Sequence, residues 1–123
     1  MSSTSALFEP LQLGDITIKN RIAFSALTRD RAVGTTPNEV MKEYYVQRAT
    51  AGLIVTEGTL ITRQGYACNC NLLFMLILLC RTEWQDAPGI WNEEQVNEWK
   101  KIVDGVHAAG GHIYSQVGYI PII

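Results

Sequence analysis

Ala51-Gly52-Leu53-Ile54-Val55-Thr56-Glu57-Gly58-Thr59 is a short apolar run that leaves one glycine and ends on another. Leu53 to Val55 are apolar on consecutive positions rather than alternating ones, the pattern of a parallel strand covered on both faces, as in sheets whose strands are joined by helices. Thr56 to Thr59 then mark the strand's carboxyl end. In barrels and open sheets of this class the chemistry sits at that end, and a glycine there lets a flat ligand approach backbone that a Cβ would screen. Gly58 is the first site candidate.

On the amino-terminal side, two short alternating runs flank Gly14-Asp15 between Leu7 and Asn20, a small hairpin with turn residues at its tip. Ile22 to Leu27 reads as an apolar strand closed by Thr28-Arg29-Asp30-Arg31. Thr36 is a good N-cap, Pro37 fits the first helical position and Glu39 completes a capping box. Val40, Met41, Tyr44, Arg48 and Ala51 recur at helical spacing, with Gly52 as the stop. On the other side Asn92 caps a second helix, Gln95 holds the box position, and Val96, Trp99, Val103 and Val106 form an inward stripe that ends at Gly110-Gly111. Ile113 to Val117 is a third strand. The order hairpin, β, α, β, α, β predicts parallel strands joined by right-handed crossovers. Tyr44, Tyr45 and Trp99 read as packing residues rather than ligand contacts.

At 123 residues and 47% hydrophobic, the chain is sized for one domain. Ten basic side chains stand against twelve acidic ones with neither sign in a block, so a nucleic acid or an anionic membrane has no electrostatic footprint to meet. Met1 to Ala6 has no basic region followed by an apolar core, which points away from a secretory signal and toward a cytoplasmic location. Cys68, Cys70 and Cys80 are an odd set without the two-residue zinc spacing, and His107 and His112 lie on other elements; no metal site is expected.

Tyr66 to Arg81 belongs to neither neighbouring element. Its continuous apolar part, Leu72 to Cys80, is nine residues, half of the roughly eighteen needed to cross a bilayer as a helix. It reads as an atypical insertion.

Several stretches, in this order and spacing, resemble the old yellow enzyme family, FMN-dependent ene-reductases on a (β/α)8 barrel, with fungal members nearest. They are Leu7-Phe8-Glu9-Pro10-Leu11, Lys19-Asn20-Arg21-Ile22, Leu27-Thr28-Arg29, Glu43-Tyr44-Tyr45, Gln47-Arg48-Ala49, Ala51-Gly52-Leu53-Ile54, Thr56-Glu57-Gly58-Thr59, Ala87-Pro88-Gly89-Ile90-Trp91 with Glu94-Gln95, and Ser115-Gln116. The resemblance implies that Thr28 hydrogen-bonds the flavin ring near its reactive N5 and O4 edge, that Gly58 lies against the ring and that Gln116 bonds its pyrimidine edge. Leu27 accompanies Thr28, and Ala26 stands beside the flavin where the family has proline. Apart from the resemblance, Thr28 could be a turn cap, Gly58 a turn glycine and Gln116 a surface amide.

The fold expected is α/β, the N-terminal part of a (β/α)8 TIM barrel with three strands, two helices and a capping hairpin. Residues 1–123 would form one partial domain of the NADH:flavin oxidoreductase type, interrupted at 66–81. The resemblance implies FMN as cofactor, NAD(P)H as hydride donor and a small enone-type substrate, with neither nucleic acid nor a membrane as partner. The family's substrate-binding histidine and asparagine, its tyrosine proton donor and its phosphate loops lie beyond Gln116, so no catalytic residue is assigned and the chain alone is expected to be inactive. The alternatives are a non-catalytic fragment that pairs with a full-length paralogue, and a mis-predicted gene product. Removing Tyr66 to Arg81 joins Gly65 to Thr82 and restores an uninterrupted family loop, as translated intron would; the rival is a real insertion in a real short product.

Overall fold

The computed structural model describes residues 4–62 and 86–118. The insertion 66–81 with its three cysteines, and the tail from Tyr119 onward, lie outside the described residues. A 3-10 turn over Thr4–Phe8 precedes β1 (Leu11–Leu13) and β2 (Ile16–Ile18); β3 (Ala23–Phe24), α1 (Glu39–Val46), β4 (Leu53–Leu60), α2 (Glu93–Ala108) and β5 (Ile113–Gly118) follow. The alternation matches the expected order.

β1 and β2 pair antiparallel through the two-residue turn Gly14-Asp15, and Gly14 takes the positive φ (58°) that such a turn demands. A separate sheet has the order β3-β4-β5, both pairs parallel. Its core lies on the Ile54 face. There Ala32, Met41, Tyr45, Ala49, Ile54, Trp99, Ile102 and Val106 form one buried cluster, with Phe24 and Ile113 packed against it. Both helices therefore cover the same side of the sheet. Ile54 is fully buried while Leu53 and Val55 on the other face are half-buried, so within the described residues the cover is one-sided, where the apolar run predicts two.

The first helix departs from expectation at both ends. Asn38 caps it, its Oδ1 accepting from Met41 N at 3.1 Å. Thr36 cannot, because its N–H and C=O are spent on a bridge to Val33 that closes the turn through Gly34 and Thr35. Glu39 accordingly pairs with Lys42 instead of closing a capping box. Met41 and Tyr45 face inward and Val40 is 64% exposed, since two adjacent positions about 100° apart cannot share one face. The helix stops at Val46, six residues before Gly52. Gly52 has another duty: a Cβ there would collide with the Asn20 carbonyl oxygen, and its N–H donates to Asn20 Oδ1 (2.7 Å) and Ile22 O (2.9 Å).

Asn92 caps α2 as expected, accepting from Gln95 N at 2.8 Å. Gln95, however, does not turn back to the cap. It is buried, accepts from Trp91 N and donates to Thr35 Oγ1 at 3.0 Å, joining the start of α2 to the strained turn where Thr35 holds φ 70°. The inward stripe is Gln95, Trp99, Ile102 and Val106, so Val96 and Val103 are not its members; Val96 is 47% exposed. At the end, Gly110 (φ 72°) and Gly111 donate to His107 O and Val106 O, the paired bonds of a Schellman cap. Tyr45 and Trp99 are core residues, as the packing reading has it, and Trp99 Nε1 donates to Gly89 O at 3.1 Å.

Candidate functional site

The five residues singled out in the sequence fall on β4, on β5 and on the segment after β3. Gly58 and Gln116 are direct neighbours, paired across the β4-β5 ladder. Thr28 is not at a strand's end. β3 stops at Phe24 instead of running to Leu27, because its parallel pairing to β4 covers only Ala23 and Phe24. Ala26 (half-buried), Leu27 (50% exposed) and Thr28 (exposed) belong to the irregular chain beyond it. β4 in turn runs on to Leu60, so Gly58 lies within its last turn of pleat rather than after it.

What ties these pieces together is a bulge. The β4-β5 register shifts between Val55 and Gly58. The alternation that sends Ile54 into the helical layer would send Thr56 there next; the extra residue sends Glu57 instead. Glu57 is 1% exposed, an ionisable side chain buried at the heart of the sheet–helix interface. Its carboxyl is met from two directions. Tyr45 Oη donates to Oε1 at 3.2 Å and accepts from Glu57 N at 2.9 Å, while Oε2 accepts from Arg29 N (3.1 Å) and Asp30 N (3.4 Å). Burial pushes the Glu57 carboxyl above its ordinary 4.5, against the opposing pull of these donors, and burial likewise raises the Tyr45 hydroxyl above 10.0.

The residue before it closes the ladder gap. Thr56 Oγ1 accepts from Gln116 N at 3.0 Å and is 2.9 Å from Glu57 O, to which it donates. The hydroxyl thus takes the place of the backbone acceptor that the bulge removes. Asp30, at φ 55°, is pinned further by Asp86 N donating to its Oδ1 at 2.8 Å, and the Arg29 guanidinium lies 5.7 Å from the centre of the Tyr44 ring, whose other close cation is Arg48 at 3.7 Å.

Whether these residues suit a flat ring is tested by Gly58 itself. A Cβ there would meet no atom within 4 Å among the described residues, and its φ is not left-handed. Neither the packing of the described residues nor the backbone conformation asks for glycine; open space over bare backbone does fit a planar group. Thr28 and Gln116 are exposed, and among the described residues neither side chain has its polar group engaged. Thr56 and Glu57 were not among the residues singled out, although an ionisable side chain inside an apolar strand is the signal that could have found one of them.

Residues 6–75, more than half of the chain, match the NADH:flavin oxidoreductase / NADH oxidase family. A 12-oxophytodienoate reductase-like protein of Solanum lycopersicum is 38% identical over 117 residues, covering 94% of this chain and 28% of that protein. A chanoclavine-I aldehyde reductase of Penicillium roqueforti is 39% identical over 116 residues, covering 90% and 27%. A plant and a fungus thus stand at the same level. The structure of the old yellow enzyme homologue from Zymomonas mobilis superposes with a TM-score of 0.75 at 42% identity, covering 91% of this chain and 27% of that one. This chain therefore spans little more than a quarter of the length of these relatives, and its three parallel strands and two helices are part of their (β/α)8 barrel. The chain belongs to the NADH:flavin oxidoreductase / NADH oxidase family, that of the old yellow enzymes.

Proposed function

We propose that these residues form the ring-facing part of an FMN site in an oxidoreductase that takes hydride from NAD(P)H and reduces activated C=C bonds of small enone-type substrates. The observation that carries the reading is Gly58: bare backbone, unobstructed among the described residues and paired with Gln116. Thr28 is the hydroxyl donor toward the N5 and O4 edge, with Ala26 and Leu27 beside it; Gln116 is the amide for the pyrimidine edge, and Gly58 leaves room for the ring. When bound, FMN supplies the hydride chemistry, and the protein's share is binding, orientation and electrostatics. None of these groups can supply the proton that a C=C reduction also needs, because a threonine hydroxyl, a glycine and an amide do not titrate near neutral pH. Binding of the ring without proton transfer is therefore what these three residues contribute.

Fluorescence titration with FMN tests this, with riboflavin as a ring-only comparison and NADPH-dependent reduction of a simple enone as the activity arm. Saturable binding of both flavins, lost on Gly58→Val, is the expected result. Failure of either flavin to bind, or a Gly58→Val variant that binds like the native chain, overturns it. A second reading rests on the sheet edge: β3 and β5 flank β4 as outer strands among the described residues, and Tyr114 and Val117 on β5 are 51% and 62% exposed. It makes the chain a non-catalytic partner of a complete barrel of its family, and co-purification with such a barrel tests it.

A further inference from the structure

We infer that Thr56 and Glu57 are a pair of positioning residues, and that the β4 bulge they form sets the spacing of Thr28 and Gln116 on either side of Gly58. The inference rests on the flavin reading of those three residues and assigns to it a supporting layer.

The geometry is specific. Two adjacent residues of one strand send their side chains in opposite directions along the sheet, and each captures backbone N–H groups of a different neighbour. Glu57 Oε2 takes Arg29 N and Asp30 N, immediately after Thr28. Thr56 Oγ1 takes Gln116 N, the amide of the candidate itself. Between them lies the register shift, without which Glu57 would face away from the helical layer and would itself take the place of Gly58 opposite Gln116.

Structure alone does not require this outlay. β3 pairs with β4 over two residues only, so among the described residues no ladder bond holds the chain from Ser25 to Asp30. Of this irregular segment, Asp86 N holds only the Asp30 side chain, and the Glu57 carboxyl is what takes the backbone amides of Arg29 and Asp30. A carboxyl buried at 1% exposure is a costly anchor, and well-packed apolar side chains of similar volume are often as stabilising. Its use here is explained when the atoms it fixes have to stay within a fraction of an ångström of a ligand. Tyr45, bonded to both Oε1 and N of Glu57, locks the anchor's rotamer from the core side.

The test compares the native 123-residue chain with Thr56→Val, Thr56→Ser and Glu57→Gln. Each is measured by residue-resolved amide exchange and by titration with FMN, reading affinity and the position of the flavin's visible band. Glu57→Gln should speed exchange at Arg29 and Asp30, and Thr56→Val at Gln116, each by roughly tenfold, the worth of one hydrogen bond of this class. Amides in α2 should not change. FMN affinity should fall by a similar factor with a shifted band, and Thr56→Ser, which keeps the hydroxyl, should restore both. Amides freed with FMN affinity and band unaltered would overturn the inference and leave the flavin reading standing; so would amides that do not respond. No FMN binding by the native chain would overturn the flavin reading and this inference with it. Should Glu57→Gln fail to fold, the Thr56→Val and Thr56→Ser pair decides alone.

Discussion

Replacing Tyr45 with phenylalanine removes one oxygen atom from the centre of the sheet–helix interface, and its cost follows from the bonds that oxygen makes. Tyr45 is 1% exposed, and so is Glu57. The hydroxyl accepts from Glu57 N at 2.9 Å and donates to Glu57 Oε1 at 3.2 Å. Without it a buried backbone N–H is left unsatisfied, at about 1–3 kcal/mol, and a carboxyl oxygen loses a donor worth about 1.5–3 kcal/mol if the group is charged. The two bonds share both residues, so their costs overlap rather than add. A net loss of about 3 kcal/mol is the expectation. That is a large part of the roughly 5–15 kcal/mol typical of a whole domain, so the midpoint of urea unfolding should drop markedly at an unchanged slope. Val40→Ala, at a site 64% exposed, is the control and should stay within about 0.5 kcal/mol. A Tyr45→Phe loss below about 0.5 kcal/mol would show that water or a side-chain shift replaces the hydroxyl, and the over-determined anchor described above would not exist.

Gly58→Val should leave stability unchanged or raise it by up to about 1 kcal/mol, since a β-branched residue suits a strand, yet weaken FMN binding by at least roughly tenfold; denaturation and fluorescence titration read the two effects separately. Gly52→Ala should do the reverse in kind, costing about 2–4 kcal/mol by driving a Cβ into the Asn20 carbonyl and disturbing the bonds its N–H makes. Because the Glu57 carboxyl is raised above its ordinary 4.5 in the fold, its contribution to stability is fully present below that value and lost as the pH rises through the folded one. The difference in unfolding midpoint between the native chain and Glu57→Gln, followed from about pH 4 to 8, should therefore shrink or change sign in that direction, and a constant difference would contradict the burial-dominated shift.

The order of elements was legible because each boundary carries its own local chemistry. Gly14-Asp15 makes the hairpin turn, Asn92 caps α2, and Gly110-Gly111 ends it, all without help from distant residues. What was not legible depends on partners far along the chain. Thr36 looks like a better cap than Asn38 until its backbone is seen committed to Val33. Gln95 looks like a box residue until Thr35, sixty positions away, claims it. Val96 and Ile102 are equally apolar, and only the packing of α2 on Tyr45 and Ile54 decides that the second faces inward. The early end of β3 is of the same kind, since its length is set by how far β4 can pair with it, and the backbone beyond goes to Glu57 instead. A bulge inserts one residue without any mark in composition, so the role of Thr56 and Glu57 could not be read from alternation.

The glycines make the same distinction at the level of function. Gly52 and Gly58 look alike in the sequence, both being small residues at the margin of one apolar run. At Gly52 the missing Cβ is required by this chain's own backbone, and Asn20 fills the space from two sides. At Gly58 the described chain offers neither a neighbour nor a left-handed φ to account for it. A glycine inside a strand gives up conformational entropy and side-chain packing, a cost of about 0.5–1 kcal/mol relative to alanine. Among the described residues nothing offsets that cost, and the flavin reading supplies what does. Gly58 pairs with Gln116, whose backbone the Thr56 hydroxyl holds, and the adjoining Glu57 carboxyl anchors the segment that carries Thr28. The proposed planar ligand over Gly58, met by polar side chains from β5 and from the segment after β3, would account for the glycine, for the bulge and for the buried carboxyl together.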